Sequence, residues 1–291
     1  MPGAEVRFNR IYENGVGVEV GSESLVHHNL IYRNTGQGVL VNGAKNANLT
    51  NNTIVALGGD GVRLVDFIDN VVLRNNVVWS QGTGLFVEPE AQGGFDSDYN
   101  NWYAAAGNVA SHGKVFDDLF DVHVEVETDL HSKGRTAPDP TRDNPLFVDM
   151  ASDDYHLQSG STSIDAGDPA TPHDLEPGPA GDRVNLGAYG NTADATSSPT
   201  SWLSIVYPEF YVDLDDDLFH EIRWETFNVT SGVNLQIDLI QEVSGTTTSI
   251  GTVAASAGMT TQRSGDHRQQ YGSISHRVAH HQRPVAGGTD T

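Results

Sequence analysis

The sequence predicts an all-β chain: a solenoid of short parallel strands followed by part of a β-sandwich. Three observations predict it. A phrase recurs four times between Val6 and Val87, built on Asn9, Asn29, Asn52 and Asn76 at intervals of 20, 23 and 24 residues. Within each phrase the aliphatic residues are spaced by two, the strand period. After residue 201, segments such as HEIRWETFNV and VNLQIDLIQEV alternate as sandwich strands do.

Aligned on the asparagine, the columns are nearly all aliphatic. Three residues before it stand Val6, Val26, Leu49 and Leu73; two after it stand Ile11, Ile31, Ile54 and Val78. Behind Gly17, Gly38, Gly61 and Gly84 come Val18, Val39, Val62 and Leu85, then Val20, Val41, Leu64 and Val87. Self-similarity at this period marks a solenoid whose coils each cover the neighbour's apolar face, with three short strands per coil. Asparagine suits its column because it tolerates left-handed backbone and because identical amides, stacked about 4.8 Å apart, bond to one another in a ladder. We assign these four asparagines a structural role.

Phrases such as NRIYENGVGVEV, HNLIYRNTGQGVLV and NNTIVALGGDGVRLV resemble the repeats of right-handed parallel β-helix proteins of the pectate-lyase-like superfamily, over about residues 4–103. The passage NPLFVDMASDDYHLQSGSTSIDAGDP with DRVNLGAYGN resembles the C-terminal portion of secreted bacterial β-helix proteins. The resemblance implies a right-handed parallel β-helix, a closing region over its last coil, and a location outside the cell or at its surface. It does not choose an activity, because that fold hosts lyases, hydrolases, epimerases, esterases, tailspikes and adhesins.

Composition narrows the partners. The net charge of −23, with 39 acidic and 16 basic residues, disfavours nucleic acid and anionic membranes. No run of 18 apolar residues inserts into a membrane, and the absence of cysteine excludes disulfides and thiolate metal ligands. The start, MPGAEV, is not a signal peptide. With the repeat already running at Val6, we expect an N-terminally incomplete chain.

Two outward columns are candidates for function. Tyr12, Tyr32, Val55 and Trp79, continued by Tyr103, form an aromatic stripe. It reads either as a platform for sugar rings or as packing between coils and beneath another domain. Glu19, Leu40, Arg63 and Phe86 lie on the strand after the glycine, where the resembled family builds its polysaccharide groove. A calcium-dependent polyuronate lyase there takes Arg63 or Lys45 as base and Asp66, Asp69 and Glu88 as calcium ligands. The competing reading is a solvated sheet face, since Leu40 and Phe86 interrupt it. A two-carboxylate hydrolase is excluded, because Glu19 and Glu88 sit about 14 Å apart.

We divide the chain into coils (1–103), a closing region (104–191), a linker (192–201), a partial immunoglobulin-like sandwich (202–262) and a disordered tail (263–291). Trp102 marks the final coil, where the cross-section changes. VFDDLFDVHVEVETDL is expected to give one or two strands. Asp165-Ala166-Gly167-Asp168 reads as a calcium loop or as a turn with Gly167 at positive φ. The Asp213–Asp217 acidic run looks like a calcium loop, but it lacks the glycine and distal glutamate of the helical calcium motif and reads as a solvated turn. His131 and the His156–Asp154 pair lack the elbow of a serine hydrolase. The tail holds four arginines and four of the twelve histidines against two acidic residues, and is read as non-native coding sequence. The preferred function is a secreted or surface scaffold that binds a polysaccharide or cell-surface glycan; the alternative is the lyase.

Overall fold

A computed structural model describes residues 3–135, 141, 143–207, 219–227, 229, 232–241, 247–254, 259–263 and 276–278. The chain divides into two compact units, Met1–Thr200 and Ser201–Thr291.

The first unit is a right-handed parallel β-helix of five coils. Each coil contributes three strands: β1 (Glu5–Arg7), β2 (Arg10–Tyr12) and β3 (Val18–Val20); β4 (Leu25–His27), β5 (Leu30–Tyr32) and β6 (Val39–Asn42); β7 (Asn48–Thr50), β8 (Thr53–Ala56) and β9 (Val62–Val65); β10 (Val71–Arg74), β11 (Val77–Ser80) and β12 (Leu85–Val87); β13 (Phe95–Asp98), β14 (Asn101–Ala104) and β15 (Ala110–His112). Equivalent strands pair in parallel, giving the sheets β1-β4-β7-β10-β13, β2-β5-β8-β11-β14 and β3-β6-β9-β12-β15. The aliphatic columns face inward as the period requires: Val26, Ile31, Val39, Leu49, Ile54, Leu64, Leu73 and Val78 are at most 1 % exposed.

The asparagine column is a hydrogen-bonded ladder. The N–H and Nδ2 of Asn29 donate to Asn52 Oδ1 at 3.1 and 3.0 Å, and those of Asn52 to Asn76 Oδ1 at 3.0 and 3.0 Å. Asn9 donates in the same way to Asn29, and Asn76 to Asn100. The second Nδ2 proton reaches the coil before: Asn52 donates to Val26 O at 2.8 Å and Asn76 to Leu49 O at 2.8 Å. Left-handed backbone is not why asparagine stands here. The left-handed residues are one position earlier, Phe8, His28, Asn51, Asn75 and Tyr99, with φ of 52 to 57°. The ladder residue is selected because its amide supplies donors and an acceptor in one plane.

Below the fifth coil the ladder ends on a buried carboxyl. Asn100 N–H donates to Ser132 Oγ at 2.8 Å. Asp129, 1 % exposed, accepts from Ser132 Oγ, Ser97 Oγ and Trp102 Nε1 at 2.6, 2.8 and 2.8 Å. Burial raises its pKa above the ordinary carboxyl value against those bonds. Trp102 is 1 % exposed, as expected of a residue that changes the cross-section.

The cap differs from expectation. β16 (Lys114–Phe116) folds back antiparallel on β15, and α1 (Leu119–Val126) follows in the stretch expected to form strands. Asp118 caps this helix by accepting from Phe120 N–H at 2.8 Å. Phe116, Leu119 and Val122 join the solenoid core and close its end, and β17 (Lys133–Gly134) adds a parallel strand beside β14.

The segment resembling a closing region does not cover the last coil. It includes β18 (Phe147–Asp149) and β19 (Asp154–Leu157), an antiparallel pair, and packs along the outer face of the second sheet. Phe147, Tyr155, Leu157, Ile164, Leu186 and Ala188 bury Leu30, Tyr32, Val55 and Val77. The cause lies in the middle strands, which are apolar on both faces and need a second layer. Gly187, at φ 90°, brings the segment against Thr53, whose Oγ1 accepts the Ala188 N–H at 3.0 Å. Residues 192–200 are part of this layer and not a free linker: Ala195 and Ser198 are buried, and Thr196 Oγ1 donates to Leu157 O at 2.6 Å. In the Asp165–Asp168 turn the left-handed residue is Asp165, with φ 53°. Gly167 is required instead by close approach, since a Cβ there would overlap Val184.

The second unit contains β20 (Trp202–Tyr207), β21 (Phe219–Phe227), β22 (Asn234–Gln241), β23 (Thr247–Ala254), β24 (Met259–Arg263) and β25 (His276–Val278). They form two antiparallel sheets, β20-β21-β24 and β23-β22-β25. Ile222 and Trp224 of the first sheet pack with Ile237 of the second. The sequence tail therefore contributes a strand, His276–Val278, while His280, His281 and the Asp213–Asp217 run lie outside the described residues.

Asn52→Ala removes a central rung and leaves its neighbours' polar groups buried without partners, so we expect a loss of about 3 kcal/mol in urea unfolding of the full chain. Gly187→Ala introduces a Cβ 2.6 Å from Thr53 Oγ1 at a positive φ. It should cost about 2 kcal/mol and make residues 144–200 more sensitive to limited proteolysis while the coils stay protected.

Candidate functional site

The aromatic stripe is in register. Tyr12 pairs with Tyr32, Tyr32 with Val55, Val55 with Trp79 and Trp79 with Tyr103. Most of it is covered. Tyr32 and Tyr103 are 3 and 6 % exposed, and Trp79 is partly buried against the 144–200 layer. Packing beneath another layer therefore accounts for Tyr32 and much of Trp79. Tyr12, in the first coil, is 47 % exposed. Its ring stacks on Tyr32 at 5.3 Å and 20°, and Tyr32 in turn meets Tyr155 at 5.0 Å. The inner face of Tyr12 is thus held while its outer face is open.

Around Tyr12 lies a set of polar groups that the sequence reading did not bring together. Arg10, two residues earlier on β2, is exposed on the same face. It helps hold the Asp154 carboxyl below its ordinary pKa, after the larger effect of the hydrogen bond from His156. His156 Nδ1 lies 2.6 Å from Asp154 Oδ1, and its ring stacks on Tyr189 at 3.8 Å and 18°. Arg33 Nη2 pairs with Asp153 Oδ1 at 2.6 Å. Burial, first, and the nearby Asp153 raise the Tyr155 phenol well above its usual pKa, so it stays a neutral hydroxyl. The ledge presents one free aromatic face, an exposed guanidinium and an imidazole. His156 and Tyr189 are about 140 residues or more from Arg10, and no local signal linked them.

The outer row of the third sheet is also in register: Glu19, Leu40, Arg63, Phe86 and Ser111. Arg63 is enclosed. Its Nη1 lies 3.1 Å from Asp60 Oδ2, its Nη2 lies 3.1 Å from Glu88 Oε1, and its guanidinium sits 3.9 Å over the Phe86 ring. Two carboxylates hold its nitrogens and a ring covers its face, so the guanidinium is already engaged within the protein. Lys45 stands elsewhere, in the connection between the third and first sheets, where a backbone bridge pairs it with Asp69.

The calcium set is not assembled. Glu88 is engaged by Arg63, and Asp66 and Asp69 sit in the turn between β9 and β10. Among the described residues, no three His, Cys, Asp or Glu side chains are placed to hold a metal ion together. In the other turn, Asp165 Oδ1 accepts from Ser198 Oγ at 2.8 Å and Gly181 N–H at 3.3 Å, which is a structural role. His131 pairs with Asp98 at 2.6 Å and stacks on Tyr99, tying the cap to the fifth coil.

Residues 2–113 match the model of a family described as periplasmic copper-binding protein (NosD). No curated protein and no solved structure matches the chain.

Arg63→Met leaves Asp60 and Glu88 facing each other without their cation. The expected loss of stability is about 1 kcal/mol, smaller in high salt than in low salt, and comparison of urea midpoints at two ionic strengths checks it.

Proposed function

We propose that this is an exported, non-catalytic β-helix protein that binds glycan at the ledge formed by Tyr12, Arg10, His156 and Tyr189. The observation that carries the reading is the Tyr12 ring, 47 % exposed and fixed from behind by Tyr32. A sugar ring lays its apolar face on a held aromatic without costing the protein side-chain entropy. Arg10 and the imidazole of His156 supply donors for hydroxyls or a carboxylate at its rim. Exposed cations are few on a chain of net charge −23, and Arg10 is one of them. Export is supported by the match of the coils to a periplasmic family.

The lyase reading has less support, because its base is enclosed by two carboxylates and a phenyl ring. Among the described residues, the copper of the family description also finds no matching donor set. The chain has no cysteine, and the adjacent imidazoles of His27 and His28 meet with their Nδ1 atoms 2.8 Å apart and ring centres 5.1 Å apart. Those nitrogens point at each other and do not converge on a shared position.

Pull-down on a panel of insoluble polysaccharides tests the proposal. Tyr12→Ala should weaken binding about tenfold, equivalent to ~1.4 kcal/mol, and Trp79→Ala should have a smaller effect. Wild-type binding by Tyr12→Ala overturns the ledge. Formation of unsaturated product from a polyuronate with calcium, lost in Arg63→Ala, overturns the non-catalytic reading.

A further inference from the structure

At the edge between the first and second sheets, four groups form an unbroken line from the first coil to the outer layer. Glu5 Oε1 on β1 lies 3.1 Å from His27 Nε2. His27 Nδ1 lies 2.8 Å from His28 Nδ1. His28 Nε2 lies 3.1 Å from the carbonyl oxygen of Gly190, 162 residues along the chain. The end groups are acceptors only, and this decides the protons between them. Gly190 O requires that His28 Nε2 carry hydrogen, so neutral His28 has a bare Nδ1. The proton between the two rings therefore belongs to His27 Nδ1. The Glu5 carboxylate lies at the Nε2 edge of the same ring, so every position along the line is taken and the gap between the two rings has room for one hydrogen only.

Each ring is also held in place. Phe8 stacks on His28 at 4.9 Å and 29° and meets the edge of His27 at 6.1 Å. His28 N–H donates to Asn51 O at 2.8 Å. A Cβ on Gly190 would overlap Asn185 O and lie 2.6 Å from Asn51 Nδ2, so only glycine lets this carbonyl come so close.

We propose that the His27–His28 pair is an acid-sensitive latch that fastens the Gly187–Asn191 corner of the outer layer to the coils and releases it when a second proton enters the pair. With both rings doubly protonated, the Nδ1 atoms present hydrogen to hydrogen at 2.8 Å between like charges. The contact cannot persist, and His28 must turn away from Gly190.

The surrounding charges allow this. From β1 come Glu5 and Arg7, already paired with each other at 3.4 Å, and β4 offers His27 itself. From the third coil, Thr50 and Asn51 present backbone oxygens to His28, and the neutral Asn51 amide lies beside Gly190. The outer layer offers the Gly190 carbonyl and, one residue further, Glu176, whose Oε1 accepts the Asn191 N–H at 2.8 Å. No carboxylate among these touches His28. Burial, first, and His27, second, lower the His28 pKa below 6.5, and the bond to Gly190 opposes them. A histidine depressed in the folded state contributes stability that is present above its unfolded pKa and lost as pH falls through the folded value. The latch is therefore closed at neutral pH and opens in acid.

Amide exchange of the full chain tests the latch, with protection factors corrected for intrinsic pH dependence. On going from about pH 7.5 to about pH 5, protection at Gly187 and Gly190 should fall about tenfold, while amides of β8 and β11 keep theirs. His28→Gln retains a donor for Gly190 but cannot gain a charge, so its corner should stay protected in acid. His27→Gln removes the repelling ring and should move the opening to lower pH. Glu176→Gln separates out the neighbouring carboxyl and should leave the fall at Gly190 in place. Unchanged protection in the wild-type chain, or an equal fall in His28→Gln, overturns the proposal. Nitrogen shifts of the His28 ring give an independent readout: any tautomer other than Nε2–H at neutral pH also overturns it.

Discussion

The asparagine ladder is the constraint on which the first unit depends. A solenoid of three-residue strands has little backbone pairing per strand, and its coils vary from 20 to 24 residues in length. Apolar columns alone tolerate sliding, because valine on isoleucine packs about as well as isoleucine on valine. The ladder does not. From Asn29 to Asn100, each Oδ1 accepts two donors from the rung before it, and each Nδ2 also reaches a backbone carbonyl of the previous coil. A slip by one residue would leave those groups buried and unpaired. The ladder must also end somewhere. It ends on Ser132 and Asp129, so the cap is joined to the coils by the same hydrogen-bonding logic that joins coil to coil.

With register set by the first corner, the three faces diverge. The third sheet alternates buried with half-exposed residues and is left as an outer surface. The second sheet is apolar on both faces, and residues 144–200 cover it as a second layer. This layer accounts for the glycines and turns of that segment. Gly187 and Gly190 stand where backbone approaches backbone, and Glu176 ties Asn185 to Asn191 through one carboxylate oxygen.

The candidate site shows how far a single sequence reaches. The stripe from Tyr12 to Tyr103 was legible, because a strand period and a coil period together place residues in one row. Its exposure was not, because that depends on a segment over a hundred residues away. The residues themselves left no clear trace: LIY, TIVA and VVWS carry apolar residues at both parities of the strand, but so do VLVN and VRLV in the third sheet, and only burial separates the two sets. The enclosure of Arg63 was half legible. Glu88 and Phe86 follow from the coil period, but the inward turn of the guanidinium follows only from side-chain packing.

By itself the sequence determined the solenoid, its coil count, its inward columns and the identity of the ladder, because these are periodic and period is a local property of the chain. Only the tertiary structure decided that α1 closes the end, that the C-terminal segment lies along a side, and that His28 meets Gly190. Each of these joins residues whose separation carries no period, and the choice between them rests on which apolar face is left uncovered once the coils have stacked.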